Sequence, residues 1–230
     1  MERVSIINGK SPILILAPHG YEKDDYNTAL IAETIANYID AYAVINRGFE
    51  RADVVDVIKD KADCNNVQHC HEDVVKEEFL DPIIRYKNKI LQTYKNVYMF
   101  LIHGMSDKHR TIAKNPNLDI VVGYGAGSPS SYSCELWRKD AFIDSLRNCG
   151  IVAYQGQKGG PMSGWSRNNM NQLFRKWYPD NQVQSMQLEI VYDYRKEEDS
   201  ARLIGEYLAM QMSDLANMKN FTKIINVPNY

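Results

Sequence analysis

The sequence predicts an α/β fold, a three-layer sandwich in which a mixed, mainly parallel sheet carries helices on both faces. Short β-branched or apolar runs alternate with longer stretches of helical periodicity through most of the chain. No internal repeat and no Gly/Ser/Pro-rich linker divides it. Its 230 residues suit one domain spanning 1–230, large enough to enclose a full core. Strand and helix alternating within one domain imply parallel strands covered on both sides. Functional sites in such sheets gather at the carboxyl edge, where strands give way to loops.

Strands are expected near 12–17, 42–46, 97–102, 119–122, 151–154 and 185–191, each stopped by Gly, Pro, Asn or Asp. The first helix covers 26–39, where Ala29, Leu30, Ala32, Ile35, Tyr38 and Ile39 form an apolar stripe and Asp24 or Asp25 is placed to cap it. A second, over 72–94, carries Val75, Phe79, Ile83, Tyr86, Ile90 and Tyr94 and should bend or restart near Pro82. Leu136, Trp137, Ala141, Ile143 and Leu146 mark a third, closed by Asn148-Cys149-Gly150 as a left-handed stop. A fourth covers about 168–177. The fifth, about 196–215, presents Ala201, Ile204, Leu208, Met212 and Leu215.

A formal net charge of -2 leaves no electrostatic footprint for nucleic acid. No apolar run approaches the roughly 20 residues that span a bilayer, so no membrane partner is expected. Met1-Glu2-Arg3-Val4 lacks the layout of a signal peptide, which makes the cytoplasm the expected compartment. Cys64, Cys70, Cys134 and Cys149 contain no CxxC pair and are expected as free thiols.

The chemistry concentrates at strand ends. Ile13-Leu14-Ile15-Leu16-Ala17 stops at Pro18-His19-Gly20-Tyr21-Glu22, a His-x-x-Glu delivered to the edge of the sheet. Val97-Tyr98-Met99-Phe100-Leu101-Ile102 ends in His103-Gly104. Hydrolytic zinc takes three ligands from His, Asp and Glu and leaves a position for water. His19, Glu22 and His103 supply that set, with Gly20 permitting the tight path between the first two. A carboxylate is then needed to carry protons between water and the leaving amine. Glu189 is the candidate, because it interrupts the apolar strand Leu188-Glu189-Ile190-Val191, where a charge is costly unless used. Alternation places Gln187, Glu189 and Val191 on one face and Leu188 and Ile190 on the other.

Taken together, Pro18-His19-Gly20 with Glu22, Leu101-Ile102-His103-Gly104-Met105-Ser106 and Gln187-Leu188-Glu189-Ile190 resemble the N-formylglutamate amidohydrolase family. That family is related to zinc carboxypeptidases and to the aspartoacylase/succinylglutamate desuccinylase enzymes. The Gly123–Gly127 stretch with Ser128, the helix over 135–148 and the Gly159-Gly160 turn follow in the expected order, so the resemblance spans roughly 11–195. It implies a phosphorylase/hydrolase-like sandwich, one Zn²⁺ on His19, Glu22 and His103, and Glu189 as general base. Asn46-Arg47 and Asp63-Cys64-Asn65-Asn66 match an Arg and an Asp-x-Asn-Arg of the family, carrying over Arg47 and Asn65 as substrate or oxyanion contacts. Asn66 stands where the family has a second arginine, and arginine forks are what grip a carboxylate. The expected substrate is a small anionic N-acyl amino acid such as N-formylglutamate. A carboxypeptidase-like or other deacylating hydrolase, and a non-catalytic metal- or ligand-binding protein, remain alternatives, as does another divalent metal in place of zinc.

The Cys64, His69, Cys70, His71 cluster completes no metal set and reads as a polar loop. Gly156-Gln157-Lys158-Gly159-Gly160-Pro161 lacks a phosphate-loop pattern and reads as a loop rimming the pocket, with Lys158 or Arg167 available to an anionic substrate. Ser106 and Asp107 are candidate supports for His103, and His109 reads as solvent-exposed.

Overall fold

The computed structural model describes residues 2–112 and 117–218. Their seven strands are β1 (Val4–Ile7), β2 (Ile13–Ala17), β3 (Tyr42–Asn46), β4 (Val97–Met105), β5 (Ile120–Gly123), β6 (Ala153–Gln155) and β7 (Val183–Val191). They form one sheet in the order β1-β3-β2-β4-β7-β5-β6. Neighbours in the block β3-β2-β4-β7 pair in parallel; β1 runs antiparallel to β3, β5 antiparallel to β7, and β6 parallel to β5. The sheet is therefore mixed and mainly parallel. β1 is a four-residue edge strand too short to show a periodicity in sequence.

Alternation divides the buried side chains between two layers. Ile13, Ile15 and Ala17 of β2 and Phe100 and Ile102 of β4 pack under α1 (Thr28–Tyr38), α5 (Leu136–Asn148) and α6 (Glu198–Asn217), while the short α4 (Lys108–Ile112) follows β4. Leu14, Leu16, Met99 and Leu101 point the other way, onto α3 (Asp81–Leu91) and the turns at 170–177. Fully burying each Leu or Ile stabilises by about 1.5–3 kcal/mol, and both faces are lined with them. Three layers result.

The elements depart from expectation where tertiary contacts intervene. The second helix opens with the turn α2 (Asp73–Val75), widens into a π-type turn over Lys76–Leu80, and continues as α3 with Pro82 in its first turn. The widened turn absorbs the amide hydrogen that proline lacks. The helix expected over 168–177 is instead a 3₁₀ turn, Met170–Gln172, followed by a π-type turn, Leu173–Trp177. Here Asn171 bonds Ser133 and Ser185, and Gln172 donates to the carbonyls of Ser131 and Gly164. Gly150 takes the left-handed conformation after α5 (φ 85°), as its position required. α1, by contrast, begins after Asn27 without a side-chain cap, because Asp24 and Asp25 are engaged elsewhere.

One topological feature positions the site. From β2 the chain passes through α1 to β3 on one side, and later returns to β4 on the other. The connections diverge at the carboxyl ends of β2 and β4, the crevice where open α/β sheets bind ligands.

Candidate metal centre

The apolar run of β2 ends in a tight turn in which the Gly20 N–H donates to the Ala17 carbonyl at 3.2 Å. A Cβ at Gly20 would lie 2.5 Å from the Asn46 carbonyl oxygen, so only glycine fits. The chain then turns back on itself, the Asp25 N–H donating to the His19 carbonyl at 3.2 Å. Asp25 consequently lies over His19. Its Oδ2 is 3.3 Å from His19 Nδ1 and 3.5 Å from His103 Nδ1, and it accepts the Gly104 N–H at 3.0 Å. One ligand atom from each of His19, Asp25 and His103 falls within 4.8 Å of the others.

Glu22 is not in this group. It is exposed in the turn, while the bond from Asp25 to the His19 carbonyl brings round the carboxylate three residues later. The carboxylate that the fold brings to both imidazoles is thus at a His-x5-Asp spacing rather than His-x-x-Glu. His103 also sits differently, inside β4 rather than beyond it, because that strand continues to Met105.

Supporting partners fix the imidazoles. Asp63 Oδ1 lies 2.9 Å from His19 Nε2 and also accepts the Asn65 N–H at 2.8 Å. Such a carboxylate orients a ligating histidine by holding its second nitrogen, which leaves Nδ1 facing Asp25. Burial works against a charge on His19, but the hydrogen bonds to Asp25 and Asp63 outweigh it and raise the pKa to about 9. Burial pushes the Asp25 carboxyl up, yet its bonds with His103 and His19 hold it well below the usual carboxylate range. Two imidazoles crowded around one anion form the arrangement in which a cation displaces a proton.

Ser106 and Asp107 do not support His103. Ser106 bonds His109 through its carbonyl (3.1 Å), and Asp107 lies 3.7 Å from Arg110. His103 Nε2 is buried without a partner among the described residues, as are Asn65 Oδ1 and Gln187 Oε1. All three residues line one cavity of about 260 Å³ beside the triad. Unpaired buried polar atoms are uncommon in native proteins, and several around one space mark a place for a polar ligand. The donor set, the converging nitrogens and these orphaned atoms fit a divalent metal with room for a substrate.

Glu189 stands opposite His103 in the β4–β7 register, on the cavity wall. Leu188 and Ile190 face the α1/α5/α6 core, as alternation required. Burial raises the Glu189 pKa, and Gln187 Nε2 donates to its Oε1 at 2.9 Å.

The other expected residues divide. Asn65 lines the cavity. Arg47 does not: its Nη2 pairs with Glu33 of α1 at 3.0 Å, and it faces a separate surface cleft beside Arg3. The chain turns away after Asn46, whose side chain holds the Pro18 and Phe49 carbonyls, and the Arg47 N–H is drawn to the Arg3 carbonyl next to β1. Arg167 is exposed and lies over the Trp177 ring at 5.5 Å, outside the cavity wall. The arginine that lines the cavity is Arg51, with its N–H on Asp24 Oδ2 at 2.9 Å. Nothing in the sequence separates it from Arg47, four residues earlier. His109, expected in solvent, also lines the cavity. The Cys64–His71 segment is less polar than expected: Cys64, Val67 and Cys70 are buried, and all four cysteines are free. No helix among the described residues is long and apolar enough to cross a membrane.

No family model matches the chain, and no curated protein matches it. Solved structures do. An N-formylglutamate amidohydrolase from Ralstonia eutropha JMP134 is similar at 13% identity over 94% of this chain and 98% of its own, with a TM-score of 0.63. A bacteriophage poly-gamma-glutamate hydrolase is similar at 12% identity over 92% of this chain and 86% of its own, with a TM-score of 0.54. A metallo-carboxypeptidase from Burkholderia cenocepacia is similar at 10% identity over 94% of this chain and 65% of its own, also at 0.54. Over nine tenths of its length, then, this chain has a fold that is also found in an amidohydrolase, a polyglutamate hydrolase and a metallo-carboxypeptidase.

Proposed function

We propose that this protein is a zinc-dependent amidohydrolase that cleaves a small, anionic N-acyl amino acid, N-formylglutamate being the leading candidate. The observation that carries the reading is the convergence of His19 Nδ1, Asp25 Oδ2 and His103 Nδ1 on a cavity whose wall also carries Glu189. His19, Asp25 and His103 would hold the metal. When bound, zinc acts as a Lewis acid toward a carbonyl oxygen and lowers the pKa of water.

The remaining roles belong to the chain. Glu189, its pKa raised by burial, takes the proton of the attacking water and delivers it to the departing amine. Gln187 holds one carboxylate oxygen, so the other is the one that carries the proton. Arg51 contributes a guanidinium to the cavity, the group suited to an anionic substrate in place of Arg47. Asn65 Oδ1 and Gln187 Oε1 are acceptors awaiting an N–H. A cavity of about 260 Å³ matches a single amino-acid derivative.

The test is metal analysis followed by amine release from N-formyl, N-acetyl and N-succinyl amino acids. Glu189→Gln is expected to lower kcat by about 10²–10⁴-fold while the protein keeps its zinc. Unchanged turnover in that variant removes Glu189 from the mechanism. Failure of the purified protein to take up zinc at all removes the whole reading.

A further inference from the structure

Arg195 belongs to no part of the mechanism above, yet it is 4% exposed and lies against Gly104, whose N–H donates to Asp25. It follows the 3₁₀ turn Tyr192–Tyr194 at the end of β7. Its guanidinium donates to three main-chain carbonyls: Nε to Ile190 at 3.0 Å, Nη1 to Tyr26 at 2.6 Å and Nη2 to Met105 at 3.2 Å. Each carbonyl sits within two residues of a different site residue. Ile190 follows Glu189, Tyr26 follows Asp25, and Met105 is two beyond His103. Three segments far apart in sequence are thus tied to one planar group.

Two further features show that the space is made for this side chain. A Cβ at Gly104 would fall 2.3 Å from the Arg195 Cζ, so glycine at that position lets the guanidinium lie against β4. Asn27 Nδ2 in turn donates to the Arg195 carbonyl at 2.7 Å, anchoring the clamp to the turn that carries Asp25. Main-chain carbonyls are the partners of Nε and of both Nη atoms of the guanidinium. Burial disfavours its charge, and the carboxylates of Asp25 and Glu189 favour it.

We infer that Arg195 is the positioning residue of the metal centre, fixing Asp25, His103 and Glu189 relative to one another through the carbonyls beside them. The inference rests on the metal reading proposed above. A fork is required, because one ammonium cannot reach three carbonyls set around a planar guanidinium.

Titration with Co²⁺, followed by its visible absorption band, reads the geometry of the centre without turnover. Arg195→Lys and Arg195→Met are each expected to weaken Co²⁺ binding about 10–100-fold, the range for groups that support metal ligands, and to alter the band. Lysine should not rescue, although it keeps the charge. Asn27→Gly retains the left-handed backbone at φ 60° and removes only the anchor; it should weaken binding in the same direction but less. Co²⁺ affinity and spectrum within twofold of wild type in a folded Arg195 variant overturn the inference, whatever happens to Tm. If neither Arg195 variant folds, wild-type Co²⁺ behaviour in Asn27→Gly overturns it instead. A wild-type protein that binds no Co²⁺ overturns the metal reading itself, which separates the two failures.

Discussion

Asp25 carries the densest set of interactions in the site. It accepts from the Gly104 amide 79 positions away, faces both imidazoles, and belongs to a turn whose next carbonyl receives Arg195. Its anionic form is favoured by partners already in place, so a metal finds its carboxylate ready. Asp25→Ala is therefore expected to weaken zinc binding by more than about 100-fold, beyond the loss typical of a supporting residue. Glu22→Ala should stay within about twofold of wild type, because that side chain is exposed. Competition against a fluorescent zinc chelator measures both; the opposite ranking would return the ligand role to Glu22. The same contrast holds for the arginines. Arg47 is spent on Glu33, and Arg51 is the one that faces the cavity.

At the level of elements, the site depends on β7 being held in register beside β4, and an ion pair ties its approach to the helical layer. Lys87 of α3 donates to Asp180 Oδ2 at 3.0 Å, and the Gln182 N–H donates to Oδ1 at 3.0 Å. Burial raises the Asp180 carboxyl, but the bonds from Lys87 and Gln182 outweigh it and leave the pKa below its ordinary value. A depressed carboxyl contributes stability that is complete above the unfolded value of about 4 and is lost as pH falls through the lower folded value. Asp180→Asn is thus expected to cost about 1 kcal/mol at pH 7 and less at about pH 3, below the unfolded value. Urea unfolding of both proteins at the two pH values checks this. An equal difference at both would show that the carboxylate's charge contributes nothing.

Across the whole molecule, the candidate ligands for one metal come from the loop after β2 and from β4, the proposed proton carrier lies on β7, and Asp63 stands against His19. These residues meet only in the folded chain, so metal affinity becomes folding stability. Zinc at 100 times its Kd should add about 2.7 kcal/mol, which for a chain of this size raises Tm by roughly 5–10 °C. Scanning calorimetry with zinc, then with excess chelator, tests this. The gain should vanish in Asp25→Ala; an identical gain there would place the ion elsewhere.

The sequence by itself determined the layers of the sheet, the sides of each strand and the strand-end histidines. The unbroken apolar runs Ile13–Ala17 and Val97–Ile102 are a local property of strands buried on both faces, and they carry His19 and His103 with them. Glu189 was legible for the same reason, as a charge in an apolar strand. That Asp25 rather than Glu22 stands beside the imidazoles, that Arg51 rather than Arg47 lines the cavity, and that Arg195 bonds three distant carbonyls are placements made by the tertiary structure alone. Those side chains sit in irregular turns whose paths are set by bonds to distant backbone: the Gly104 amide, the Arg3 carbonyl, and the carbonyls of Tyr26 and Met105. No periodicity records such bonds, because their partners become neighbours only when the sheet assembles.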